Sequence, residues 1–538
     1  MTTHSAPPSP AAPLPPDAPP PPDATSNATR LLCAGTYLDP VYRKAVIREL
    51  LTERFRVVAP SYGYDAVPVL AHALAAHNLR LQQLRTLLAG AAVVVLLMAT
   101  GVLSTLGAAL LFVWLAWATM FLRRIAVLRT LAAHLAPPAD GAHFDGRYPR
   151  TTRLTPELVR KITDEQGSET VRYGGYKPFI GAGALWRRWS NAELLIGAPV
   201  ASAGPFDQGL FDGRVPRPAG PANGAPNGTP NGANAPAHPE RRPIIPFTTE
   251  EITSQVRDRM LAELRDRPRP SDSIRLLSVD RRRFTTAVRT LDGPTLRVPT
   301  DGGRPGTGEH WREAYDADRE YLCIRIGSWN QELVTTVFVG FDIKGATLHT
   351  EFYTYVLAPV AESFHLVDRL PATIDGRLMG RIAWDVTRSV PGELLRLLTN
   401  PLQERLPSRS GTVKVTVPQP ADRSEFRLGR YADTVVDCGA RTSVREMAAS
   451  SAFHHFFQET DALKYTQIVE RHLLQIVGDF LREHDVDTRD HEANQTNILQ
   501  QNFGANSTNN FGGNQSVGNS GTQTFGNNSG VTREARPA

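Results

Sequence analysis

The chain is poor in cysteine and in lysine. Its 538 residues hold three cysteines, Cys33, Cys323 and Cys438, and six lysines within a combined Lys+Arg count of 59. Cysteines so far apart, with no CxxC spacing, exclude a disulfide-stapled module and a zinc knuckle. They read as small buried apolar side chains in a reducing compartment. The near-exclusive use of arginine, beside abundant alanine and proline, points to coding bias in a GC-rich genome. A formal charge of +5 is small for this length, and nucleic-acid binding needs clustered positive charge. No nucleic-acid partner is therefore expected. HExxH, GxxxxGK[ST], GxSxG, paired CxxC and EF-hand patterns are all missing. The sequence names no catalytic residue, no metal and no cofactor, and it predicts a non-enzymatic protein.

The first 29 residues lack lysine, arginine and any apolar run, and they hold ten prolines. That excludes a secretory signal there and predicts a disordered, polyproline-II-like tail. Residues 201–246 carry ten prolines and seven glycines, with Pro-Asn-Gly twice, and read as a second disordered segment, a tether.

Charge disappears altogether over the 37 residues from Thr86 to Leu122. As one helix this block would span about 55 Å, against a bilayer hydrocarbon core of about 30 Å. Two helices of roughly 17 residues fit better, with a turn near Gly101, Ser104 and Gly107. Arg80 and Arg85 precede the block, and Arg123, Arg124 and Arg129 follow it. Positive flanks on both sides place both ends in the cytoplasm. The expectation is a multi-pass cell-membrane protein with both termini cytoplasmic and the lipid bilayer as its first partner. Trp117 lies toward the cytoplasmic end of the second span, where indoles are favoured. The alternative is one long tilted helix with the C-terminal part outside.

The soluble parts read as α+β. Residues 30–85 form a helical region, with Asp39-Pro40 as a cap followed by proline at the first helical position. Residues 123–200 form a juxtamembrane α/β segment, and 247–487 an α+β domain. In that domain Thr248 and Glu251 make a capping box. Leu322–Ile326, Leu333–Ile343, Leu348–Leu357 and Val413–Val417 read as strands of an antiparallel sheet with one solvated face. A helix is expected over 442–486, with Leu463, Ile468, Val469, Leu473, Ile476, Val477, Phe480 and Leu481 on its apolar stripe. Here it is expected to pack on the sheet or, as the alternative, to form an intermolecular coiled coil.

Four segments, AGTYLDP from Ala34, APSYGYD at 59–65, YGGYKPFIGAG at 173–183 and DCGARTSVRE at 437–446, resemble a group of uncharacterised actinobacterial membrane proteins. The resemblance implies a short cytoplasmic region, a hydrophobic hairpin, a soluble domain and a Gly/Asn-rich end, and it implies no chemistry.

Several residue constellations stand as candidate sites. Tyr173-Gly174-Gly175 and Gly181-Ala182-Gly183 are a phosphate-cradle candidate, with turn glycines as the plainer reading. His454, His455, His472, His484 and His491 lack the carboxylate spacing of a metal site. Cys438 stands near Arg441 and Arg445 without a base. Asp342, Glu351 and His365 are acid/base candidates only if the soluble domain is an enzyme after all. From Asn494 to Gly530 no residue is charged and 22 of 37 are Asn, Gln or Gly. Residues 488–538 thus read as a low-complexity tail. Phe503, Phe511, Val517 and Phe525, each followed by glycine, make it a candidate for homotypic assembly through amide ladders. The preferred function is a membrane-anchored interaction or scaffold protein whose protein partners are unknown. The alternatives are an effector whose tail assembles and perturbs the hairpin, and an enzyme with an unrecognised site in 247–487.

Overall fold

The computed structural model describes residues 23–137, 144–200, 241–268, 274–291, 295–297, 318–371, 375–399, 412–414 and 434–503. Helix α1, Asn27–Leu38, starts at Ser26, whose hydroxyl accepts from the Thr29 N–H. Residues 23–29 therefore belong to the folded body and not to a disordered tail: Asp23 pairs with Arg325 at 3.5 Å and Ala28 and Thr29 are fully buried. Asp39 ends α1 and caps α2, Pro40–Ile47, with Pro40 at the start of the helix. Asp65 caps α3, Ala66–Ala99, and Ser104 caps α4, Thr105–His134. The turn between them contains Gly101 at φ +74°. Helix α5 follows at Pro156–Gln166.

Strands β1, Thr170–Tyr173, and β2, Ala184–Leu194, flank the glycine-rich segment but go to opposite edges of one sheet. Helix α6, Thr249–Leu261, opens on the Thr248/Glu251 capping box. Then come β3 (Leu277–Thr286), β4 (Val288–Leu291), β5 (Thr295–Arg297), β6 (Arg319–Ser328), β7 (Leu333–Lys344) and β8 (Thr347–Leu357). Helix α7, Gly376–Thr399, was not foreseen; β9 (Thr412–Lys414), β10 (Thr434–Asp437), α8 (Phe456–Glu483) and α9 (Arg489–Phe503) complete the order.

The main sheet runs β1-β3-β6-β7-β8-β2, with β1 and β3 parallel and every other pair antiparallel. Both of its faces are covered, contrary to the one-sided burial expected. On one face Leu322, Ile324, Val337, Val339 and Phe352 pack on Ile252 and Val256 of α6 and Val469, Leu473 and Phe480 of α8. On the other, Phe179 lies on Phe338, with ring centroids 4.3 Å apart, beside Phe284 and Tyr321. The loop from β1 to β2 carries Phe179 across that face, a placement that strand alternation does not report. Residues 442–455 precede α8 and include only a short 3-10 turn, and Leu463 points outward at 38% exposure. A second core joins α1, α2, the start of α3 and α5. The chain is a mixed helix-and-sheet protein carrying a helical hairpin.

Candidate functional site

The hairpin is longer than the uncharged block. Helix α3 begins inside the protein: Ala66–Leu74 are all buried. Farther along the same helix Leu88, Val93, Val95 and Leu96 are more than half exposed, as are Leu106, Leu110 and Trp114 on α4. Both helices are long and apolar enough to cross a membrane. Gly90 lets them approach, since a Cβ there would lie 2.2 Å from the Leu115 side chain. At the base, Arg80 and Arg123 both donate to Gln83 Oε1, at 3.2 and 3.3 Å. Arg85, Arg124 and Arg129 are exposed, and Arg124 reaches Ser389 Oγ on α7 at 3.4 Å.

A buried polar chain joins this base to the sheet. Arg30 donates to the carbonyl of Leu135, the C-cap of α4, at 2.9 Å, to Asn27 Oδ1 at 2.8 Å and pairs with Asp368 at 2.7 Å. Asp368 lies 3.4 Å from His365 Nδ1, and the other ring nitrogen is 3.1 Å from Glu332. Hydrogen bonding to Asp368 and Glu332 outweighs burial and holds the His365 imidazole up at about 9. Glu332 also accepts from Asn27. Its carbonyl, with that of Ala358 at 3.1 Å, receives the fully buried Arg445, whose guanidinium burial pushes down to about 10.

Glu332 ends a strained turn. Trp329, Asn330 and Gln331 have φ of 52°, 53° and 69°, three successive left-handed residues without a glycine. Each such residue costs about 1–3 kcal/mol and persists only when its surroundings over-determine it. Those surroundings are present. The Trp329 indole donates to Asp461 on α8 at 3.0 Å and stacks on His455 at 5.7 Å, and Gln331 packs against Gly63 and Gly327. The turn therefore ties the polar chain to α8.

The residues singled out by sequence separate. Asp342 pairs with Lys344 at the exposed end of the β7–β8 hairpin. Glu351 accepts from Tyr321 Oη at 2.7 Å in the aromatic layer, and His365 sits in the chain above. The structure does not bring these three together. The phosphate-cradle candidate is occupied by the protein itself: Glu446 Oε1 accepts from Gly181 N at 2.9 Å and Gly183 N at 3.1 Å, and Asp437 Oδ2 from Gly175 N at 2.9 Å. Cys33, Cys323 and Cys438 are buried and form no disulfide among the described residues, and burial pushes the Cys323 thiol up to about 11. Among the described residues no group of three His, Cys, Asp or Glu is placed to hold a metal.

A family model, the AbeC-like domain, matches residues 189–520. The chain belongs to the AbeC-like domain family. No curated protein and no solved structure matches. The AbeC-like region begins inside β2 and ends beyond α9, so the hairpin at 66–134 lies outside it. It includes Glu332, His365 and Arg445, whereas Asn27 and Arg30 precede it. The polar chain is thus the junction between the AbeC-like domain and the helical part.

At its other end the AbeC-like region contains α9, so the first residues of the low-complexity span 488–538 are helical. His484 caps α8 and His491 lies in α9, so they share no helix face. Phe503 is the last residue of α9; Phe511, Val517 and Phe525 lie outside the described residues. Asn27, Arg30 and Glu332 escape the sequence because the partners that join them into a chain are distant, Glu332 lying 305 residues from Asn27 and Leu135 105 residues from Arg30. The only local sign was a run of turn residues without glycine after β6.

Proposed function

We propose that the protein is a non-enzymatic, membrane-anchored scaffold whose AbeC-like domain is held rigidly against a two-span hairpin. In this reading both termini face the cytoplasm, and the soluble domain binds protein partners on that side. The order of parts, hairpin, soluble domain and Gly/Asn-rich end, is that of the membrane proteins the sequence resembles. One observation carries the reading: α3 is a single helix with one end in the protein core and the other bearing exposed Leu88, Val95 and Leu96. Such a helix leaves no flexible link between a bilayer and the folded body. The polar chain from the Leu135 carbonyl through Arg30, Asp368 and His365 to Glu332 supports the same reading.

The test is topological. In spheroplasts, a reporter fused after residue 490 gives a cytoplasmic signal, and external protease leaves the AbeC-like domain uncut. Cleavage of that domain from outside ends the scaffold topology. A second reading is assembly through the tail, supported by the composition of the Asn/Gln/Gly-rich segment, which begins at Asn494 within α9 and continues past the described residues. Residues 488–538 that form no thioflavin-positive fibrils over days remove that reading.

A further inference from the structure

Helix α7 is two-faced and stands at the boundary of the apolar block. Ile382, Val386 and Val390 are buried in one cluster with Met120 of α4, and Leu378 joins them against Trp117, Phe121 and Leu128. The Trp117 indole donates to Thr387 Oγ1 at 3.0 Å. Trp117 stands six residues before Arg123, so Thr387 lies about 9 Å inside the basic end of the uncharged block. Arg124, just outside that end, reaches Ser389. The helix therefore straddles the level at which lipid headgroups meet acyl chains.

Its opposite face is unpartnered within the described residues. Arg377, Arg381, Trp384 and Arg388 are exposed, Trp384 at 64%. Their spacing of four, three and four places them on one side of the helix. An indole flanked by arginines is the side-chain set that suits a wet, anionic boundary. Trp prefers the interface, and arginine stems stay in apolar surroundings while the guanidinium meets phosphate. Asp385 and the helix-capping Asp375 are the exposed acids beside them among the described residues, leaving three positive charges against two negative.

We infer that α7 is an interfacial helix whose Arg377–Arg381–Trp384–Arg388 face engages the headgroups of anionic phospholipid, which rests on the membrane reading above. This gives the soluble domain a second, lipid-dependent contact with the bilayer besides the hairpin.

The test uses the full chain in phosphatidylcholine nanodiscs with and without phosphatidylglycerol. The native cysteines are buried, so Trp384→Cys takes a nitroxide selectively, and Arg388→Cys serves as a second position. Collision with oxygen and with a water-soluble nickel chelate reads depth. Both labels are expected at headgroup depth, deeper with phosphatidylglycerol. Changing Arg377 and Arg381 to glutamine in either labelled chain should raise nickel access about fivefold or more. Labels as open to nickel as one at exposed Glu250, no response to phosphatidylglycerol, or labels shielded from both reagents by protein each overturn the inference. A nitroxide at Val95→Cys separates the premises: lipid-buried at 95 but watery at 384 sinks α7 alone, whereas water at both sinks the membrane reading.

Discussion

His491 of α9 and Glu193 of β2 form a buried pair, Nδ1 to Oε1 at 2.8 Å, with side chains 3% and 5% exposed. The other ring nitrogen meets the Leu474 carbonyl of α8 at 2.8 Å. Both acceptors need a proton, so the ring is an imidazolium. Burial pushes it toward neutrality, but Glu193 and Leu474 together hold it above the ordinary histidine value. One side chain thus clasps α9 to β2 and to α8. His491→Ala leaves Glu193 buried with only the Asn191 amide as donor. The expected loss is about 3 kcal/mol, measured by denaturant titration, with faster amide exchange across 489–503. An unchanged exchange rate in α9 removes the clasp.

The same chemistry sets a pH dependence. His365 and His491 are both raised in the folded protein. A raised group contributes stability that is complete below the unfolded value near 6.5. It is lost as pH rises through the folded value. Stability is therefore expected to fall between about pH 6.5 and pH 9, by on the order of 2 kcal/mol for His365. In His365→Gln that part of the slope should vanish while the His491 part remains. A flat profile for the parent protein contradicts the geometry of both pairs.

Gly183 has φ +95°, and a Cβ there would stand 2.3 Å from the Val356 carbonyl oxygen. Neither strain nor overlap can be relieved by a side-chain shift, because the obstacle is backbone of β8. Gly183→Ala should cost about 3 kcal/mol in thermal or denaturant unfolding. Gly175, also at positive φ but with nothing within 4 Å of its Cβ, should lose only about 1 kcal/mol on the same change.

Legibility followed range. The uncharged block and its arginines are local signals and named the hairpin. Period-two runs placed β6, β7 and β8, and Asp39-Pro40 and Thr248/Glu251 placed helix starts. What needed distant partners stayed hidden. Two examples are Phe179 laid over the sheet and Glu446 filling the glycine turn 265 residues earlier. Helix α7 escaped because its apolar positions, Leu378, Ile382, Val386 and Val390, fall every four residues among arginines, with Pro391 inside the run. The left-handed backbone of Trp329–Gln331 stayed hidden as well, since no glycine among those three residues announces it.

Lipid contact of the hairpin can be tested against burial in the same helix. Leu96 and Val69 both lie in α3, but Leu96 is 62% exposed and Val69 is fully buried. In a bilayer, arginine costs about 3 kcal/mol of insertion at the middle of a span and less toward its end, whereas on a water-exposed helix face it costs almost nothing. Leu96→Arg should therefore shift the full-length protein toward the carbonate-extractable fraction while thermal unfolding of the soluble domain stays unchanged. Val69→Lys should do the reverse, because it strands a charge in the core formed with α1 and α2 and leaves the apolar tip intact. If Leu96→Arg leaves extraction unaltered, the exposed face of α3 does not meet lipid.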